Sequence, residues 1–181
     1  MREFHTIPPL YNENSKILIL GSFPSVKSRE TEFFYGHPQN RFWKVMAALF
    51  REKIPESTEE KKSLLLSHGV ALWDAVYSCD IVGSSDSSIK NVIPNDILFI
   101  LSKTSVSKIF LNGKTAEKYY KKYINTYTKE DQYYDDAFYQ LGMLYYENGD
   151  LENAKKTFYG MRSEVPDSMY NNSKVKEILS K

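Results

Sequence analysis

Cysteine is almost missing from this chain of 181 residues, with Cys79 alone. That excludes an intrachain disulfide framework and any Cys-rich zinc site. It fits a reducing compartment, so a cytoplasmic location is expected. Histidine is scarce too. His5, His37 and His68 lie far apart in the sequence, so a zinc or iron–sulfur site lacks ligands and no metal or other cofactor is expected. There is no Gly-x4-Gly-Lys-Ser/Thr phosphate loop and no Gly-x-Gly-x-x-Gly run. Long apolar runs are absent. The longest, around Lys16–Leu20, suits a strand and is far short of a membrane span, so no membrane partner is expected. The start, Met1-Arg2-Glu3-Phe4-His5, has no apolar signal-peptide core. Net charge is only +1. Binding of nucleic acid by bulk charge is thereby disfavoured, and a local basic face is left open.

What is present is an ordinary globular composition, 41% hydrophobic and 26% charged, unevenly arranged. Residues 1–124 hold 17 Lys and Arg against 13 Asp and Glu, whereas residues 125–181 hold 7 against 10. Tyrosine is sparse early and dense from Tyr119 onward, and six of the seven prolines lie at or before Pro94. These shifts divide the chain into a domain over 1–124, a junction over 125–134 and a second segment over 135–181.

The first segment alternates strand and helix signals. Lys16–Leu20 is a β-type run stopped by Gly21-Ser22-Phe23-Pro24-Ser25. Arg41–Arg51 has apolar residues at helical spacing, with Asn40 as N-cap, and Thr58–His68 is a second helix. Val70–Trp73 reads as a short buried strand. Asn95–Lys103 reads as a helix opened by Pro94 and Asn95. Val106–Leu111 is a strand stopped by Asn112-Gly113, and Lys114–Tyr123 is helical. The alternation predicts a three-layer α/β/α domain with a mostly parallel sheet. Sites in such sheets form beyond the strand C-termini, here at Gly21–Ser25, after Trp73, and at Asn112-Gly113.

The second segment predicts helices over Gln132–Glu147 and Leu151–Glu164, a turn at Gly149-Asp150, and a third helix from Ser173. Phe138, Leu141, Gly142, Tyr145, Gly149, Ala154, Phe158, Met161 and Pro166 match the spacing of one tetratricopeptide repeat over about 135–168. An ordinary helical hairpin is the plainer reading. Small Gly142 and Ala154 would allow close helix approach, with Tyr145 and Phe158 filling the seam. A lone repeat buries its faces poorly, so a protein partner or self-association through the hairpin is expected.

The block richest in chemistry is Gly21-Ser22-Phe23-Pro24-Ser25 followed by Phe34-Tyr35-Gly36-His37-Pro38-Gln39-Asn40-Arg41-Phe42-Trp43. A glycine-bearing loop after the first strand and an aromatic loop entering a helix make a narrow pocket with polar backbone groups and stacking rings. Further on come Ala71-Leu72-Trp73-Asp74, Ser78-Cys79-Asp80, Gly83-Ser84-Ser85-Asp86-Ser87-Ser88-Ile89, Asn95-Asp96-Ile97 and Ile109-Phe110-Leu111-Asn112-Gly113-Lys114. Together they resemble the uracil-DNA glycosylase superfamily, most closely its hypoxanthine (deoxyinosine) branch, over about residues 3–124.

That resemblance implies an enzyme that flips a deaminated base out of DNA and hydrolyses its N-glycosidic bond. A flipped base needs a snug pocket with stacking and edge-reading hydrogen bonds. Phe23 is the implied stacking ring, though such a ring is otherwise core. Backbone groups of Gly21, Ser22, Pro24 and Ser25, together with Tyr35 and Gly36, are candidates to hold the base or its sugar-phosphate. Asn40 matches the branch's catalytic asparagine. An amide is no base, so its role would be to orient water; without the motif it reads as a helix cap. His37 is either a phosphate or water contact or a loop histidine bonded to backbone. Asn112 reads the base edge or closes the turn at Gly113. Asp86 in its serine-rich loop reads as a turn former ahead of a catalytic acid.

The superfamily normally follows its last strand with a Ser/Pro-rich loop that wedges into the duplex. No Ser-Pro cluster follows Gly113 here. Two function classes therefore follow: a glycosylase acting on DNA that carries hypoxanthine, with uracil second, or a weak or inactive domain whose hairpin binds a protein. No group from 125–181 is expected in the chemistry.

Overall fold

A computed structural model of the chain describes residues 2–124 and 134–181. It divides into two compact units, Met1–Tyr120 and Lys121–Lys181, a few residues ahead of the boundary read from composition. The junction expected over 125–134 falls largely outside the described residues.

In the first unit, three parallel strands form one sheet. β2 (Ile17–Gly21) lies between β3 (Val70–Asp74) and β6 (Lys108–Leu111). The two-residue period of β2 sends its side chains to opposite faces. Ile17 and Ile19 pack on a cluster of Trp43, Met46, Ala47, Leu64, Leu65, Val70 and Leu72. Trp43, Met46 and Ala47 come from α2 (Phe42–Phe50), and Leu64 and Leu65 from α3 (Thr58–Ser67). α3 opens with a capping box, Ser57 bonding the Glu60 backbone and Glu60 reaching back to the N-cap. Leu18 and Leu20, on the other face, are fully buried. So are Ile97 and Ile100 of α4 (Ile97–Lys103) and Ala116 and Tyr120 of α5 (Lys114–Ile124). The result is the expected α/β/α layering. Among the described residues, β6 pairs with β2 alone.

A second, antiparallel sheet was not legible in the apolar pattern. β1 (Arg2–Phe4), β4 (Val76–Asp80) and β5 (Lys90–Pro94) pair in the order β1-β4-β5. β5 has no fully buried residue, so it carries no hydrophobic alternation to read. Pro94 therefore ends a strand and does not open a helix. α4 starts later, at Ile97, where the Asp96 carboxylate accepts the Phe99 N–H at 3.2 Å. Asn95 has a different task. It is 3% exposed, and its amide donates to the Asp74 and Val76 carbonyls at 2.8 and 3.2 Å. This braces the bend where the chain leaves β3 for β4, and so fixes Asp74 at the strand end. A short helix, α1 (Val26–Glu30), capped by Ser25, was likewise not anticipated.

The second unit holds α6 (Tyr134–Glu147), α7 (Leu151–Glu164) and α8 (Ser173–Ser180). Ala154, Phe158, Met161, Val175 and Ile178 are fully buried, with Phe138, Tyr139 and Tyr145 packed against them. A Cβ on Gly142 would lie 2.5 Å from the Phe158 ring, so the seam at this point needs glycine. Gly149 turns the chain with φ +78°, and Asp150 caps α7 by accepting the Asn153 N–H at 3.2 Å. No described helix is long and apolar enough to cross a membrane.

Candidate active site

The loops at the C-terminal ends of β2 and β3 enclose a cavity of about 260 Å³. Its wall includes Phe23, Pro24 and Ser25 from the first loop, Phe34, Tyr35 and Asn40 from the second, Asp74 from the end of β3, and Ser84 and Asp86 from the serine-rich loop. The first loop is tied by main-chain bonds across the strand ends, Ala75 N–H to Gly21 O at 2.9 Å and Val76 N–H to Ser22 O at 3.1 Å.

Asp74 sits at the floor, 6% exposed. A carboxylate only accepts, so the contact of 2.9 Å between its Oδ2 and His5 Nε2 is a donation from the imidazole N–H. The other oxygen occupies the space a side chain at position 21 would take. A Cβ on Gly21 would meet Asp74 Oδ1 at 2.1 Å and the Tyr35 hydroxyl at 3.3 Å. Gly21 is therefore needed for room. Its neighbours bring an acceptor and a phenol to the same spot.

Tyr35 holds a left-handed backbone, φ +52°, which for a bulky residue marks strain that the surroundings must sustain. Its ring stacks on Phe42 with centroids 4.0 Å apart, and its hydroxyl accepts the Asn112 amide N–H at 2.8 Å. Burial and the Asp74 charge push the phenol well above its ordinary value, opposed in part by the Asn112 hydrogen bond. Tyr35 is thus a neutral O–H donor throughout the physiological range.

Asn40 is exposed and lines the cavity. Its Oδ1 accepts the Phe42 N–H at 2.8 Å, which fixes the side chain at the start of α2. The N-cap of α2 is Arg41 and not Asn40 as expected; Asn40 sits one residue ahead of it, holds the Phe42 N–H and lines the cavity. Phe23 is 7% exposed and packs with Ala75, Val76, Cys79, Ile81, Ile89 and Tyr119, while still forming cavity wall. The Arg29 guanidinium lies 5.6 Å from its ring centroid. It is a wall held from behind by the core.

Ser22 reaches the site through Asp86, its hydroxyl lying 3.0 and 3.1 Å from the two carboxylate oxygens. Asp86 does open a short 3-10 turn, Asp86–Ser88. The turn-former reading missed that its carboxylate also lines the cavity. Gly36 gives its N–H to Ser28 Oγ at 3.1 Å, a supporting contact. His37 is exposed and accepts the Gln39 N–H at 3.2 Å; neither it nor Gly113 borders the cavity. Asn112 touches the site only through Tyr35. Sequence reading missed His5, and it pointed to the region after Trp73 without giving Asp74 a role. The available signal was an acidic residue closing an apolar strand, at the same sheet end as Gly21.

Three comparisons bear on this arrangement. The family model described as Uracil DNA glycosylase superfamily matches residues 8–163. A hypoxanthine DNA glycosylase of Methanosarcina acetivorans is 37% identical over 116 residues, 62% of this chain and 72% of that protein. Another, from Methanosarcina barkeri, is 31% identical over 114 residues with the same shares. A solution NMR structure, described as that of a candidate uracil DNA glycosylase from Methanosarcina acetivorans, has a TM-score of 0.61 and 30% identity. It covers 69% of this chain and 78% of its own.

Proposed function

The chain belongs to the uracil DNA glycosylase superfamily, and from that premise we propose that it excises deaminated bases from DNA, hypoxanthine first and uracil second. The observation that carries this reading is the pairing of a buried acceptor with a neutral donor at the cavity floor. Hypoxanthine presents a ring N–H beside a carbonyl, and so does uracil. Adenine and cytosine present a ring lone pair beside an amino group. Asp74 Oδ1 accepts the ring N–H, and the Tyr35 O–H donates to the carbonyl. The parent bases set lone pair against carboxylate, an unpaired buried contact that costs about 1–3 kcal/mol or more. The cavity, about 260 Å³, is smaller than the roughly 300–1,000 Å³ of drug-sized pockets and suits a single flipped base against Phe23.

Asn40 stands at the exposed level of the cavity and orients the attacking water. The base leaves as the glycosidic bond breaks through an oxocarbenium-like sugar, helped by donors that stabilise its developing negative charge. The second unit is read as a tetratricopeptide-like hairpin that packs on itself or on a protein partner and stays out of base chemistry. The support is that Ala154, Phe158 and Met161 are fully buried in its own seam.

The test uses duplex oligonucleotides carrying one deoxyinosine, one deoxyuridine or no damage, incubated with the protein and then treated with alkali. Strand cleavage is expected for deoxyinosine, less for deoxyuridine and none for the undamaged duplex. In Asp74→Asn, whose amide can turn either polar atom to the base, discrimination against the parent bases should fall. Failure of the wild type on both damaged duplexes would reject the reading.

A further inference from the structure

Two carboxylates line the cavity, and burial sorts them. Asp74 is at the floor, whereas Asp86 is exposed. A flipped nucleotide keeps its sugar joined to the strand, so the base enters first and C1′ stays near the mouth. The floor carboxylate meets the base edge, and the rim carboxylate meets the sugar.

The rim carboxylate is built into place. Ser84 Oγ accepts the Val26 N–H at 2.9 Å, fastening the serine-rich loop to the start of α1. Ser88 Oγ accepts the Val82 N–H at 2.9 Å and donates to the Ser85 carbonyl at 2.7 Å, closing the loop on itself. The Ser22 hydroxyl orients the carboxylate and leaves most of its lone pairs open.

Asn40 lacks what the reaction requires. It can hold a water, but an amide takes no proton at neutral pH. Its Oδ1 spends one of its two lone pairs on the Phe42 N–H, and its amide protons can hold a water through the water's oxygen. A water held in that way points its own protons elsewhere. We propose that Asp86 is the general base of the reaction, taking a proton from the water that Asn40 orients. This rests on the glycosylase reading above. The water oxygen bonds to C1′ as the C1′–N bond breaks. The bond's electron pair leaves on the base, one water proton passes to Asp86, and the departed base takes a proton from solvent while Asp86 returns its own. The same negative charge lies beside the cationic sugar in the transition state.

The experiment compares wild type, Asp86→Asn and Asp86→Ala in single-turnover excision from a deoxyinosine duplex, with the dissociation constant for the same DNA measured separately. Asp86→Asn keeps an oxygen for the Ser22 hydroxyl and removes only the charge and the basicity. General-base catalysis is worth about 10²–10⁴ in rate, so both variants should fall by that order. DNA binding should be unchanged or tighter, because a negative charge near phosphates is gone. Asp86→Glu should recover part of the rate. If Asp86 only fastens the loop, Asp86→Asn keeps the wild-type rate and Asp86→Ala alone falls; that result overturns the proposal. Absence of excision by the wild type itself would instead reject the glycosylase reading.

Discussion

Gly21→Ala adds one methyl group where the structure has no room for it. The new Cβ would lie 2.1 Å from Asp74 Oδ1 and 3.3 Å from the Tyr35 hydroxyl. The backbone tolerates alanine, since φ at Gly21 is not positive, so all of the cost falls on the neighbours. A carbon and an oxygen need ordinary van der Waals separation, and the carboxylate must retreat by about 1 Å. It has little freedom to do so. His5 holds Oδ2 at 2.9 Å, and Asn95 pins the Asp74 carbonyl at 2.8 Å. Overpacking of this kind costs about 1–3 kcal/mol of stability. The effect on chemistry is larger, because a displacement of about 1 Å in a positioned group costs roughly 10²-fold in rate. Single-turnover excision from a deoxyinosine duplex reads the second effect, and a thermal melt reads the first. An unchanged rate with a folded protein would mean that Asp74 does not touch the base, and the reading of the cavity floor would fail.

Asn40→Ala should lower single-turnover excision by on the order of 10²–10³ with DNA affinity nearly unchanged. It should also cost about 0.5–2 kcal/mol from the lost bond at the start of α2. An equal rate in the variant would leave Asn40 as a helix-start residue only. Alkaline titration should find Tyr35, Tyr119 and Tyr170 late, because burial raises all three, followed by Asp74 for Tyr35, Cys79 and Asp86 for Tyr119, and Asp136 for Tyr170. The folded state keeps these protons where the unfolded chain releases them. The stability they contribute is thus complete below the ordinary phenol range and is lost as pH rises through it and toward the raised values. Absorbance near the phenolate band should lose one late-titrating group in Tyr35→Phe and one in Tyr170→Phe. Titration of both with the ordinary tyrosines would refute the burial argument.

The parallel sheet was legible because its strands are short, mostly apolar runs that stop at Gly21, Asp74 and Asn112-Gly113. β2 and β3 are examples, and the helices after them carry helical spacing and caps such as Ser57 with Glu60. The antiparallel sheet was not, because β5 presents no buried position and its pairing is a tertiary fact. The site followed the same division. The loops Gly21–Ser25 and Tyr35–Asn40 are contiguous and carry visible punctuation, so their residues could be named in advance. Asp74 and His5 are 69 positions apart, and Ser22 and Asp86 are 64 apart. Such pairs exist only once the strand ends are brought together. Asp86 was read as a turn former because a serine-rich loop explains an aspartate locally, and it does open a 3-10 turn; nothing local reveals that the loop also folds over a cavity.

The family match runs to residue 163, well into α7, so the hairpin cannot be set aside on similarity alone. Its packing supplies the argument for placing it outside the chemistry. The positions that would have to carry function are already used within the unit. Phe158 and Met161 are fully buried, and Gly142 faces three atoms of the Phe158 ring between 2.5 and 2.9 Å from its ideal Cβ. Gly142→Ala gains roughly 1 kcal/mol of helix propensity. Against this, the ring has no open side to swing into, and overpacking costs about 1–3 kcal/mol, so the balance is a net loss of stability. Gly149→Ala is the contrast. Nothing lies within 4 Å of its Cβ, and its cost is the φ of +78° alone. Both variants should lower the melting temperature. Neither should change single-turnover excision at temperatures where the protein is folded. A folded Gly142→Ala protein with a reduced rate would place α6 and α7 in the catalytic machinery and overturn the separation of the two units by function.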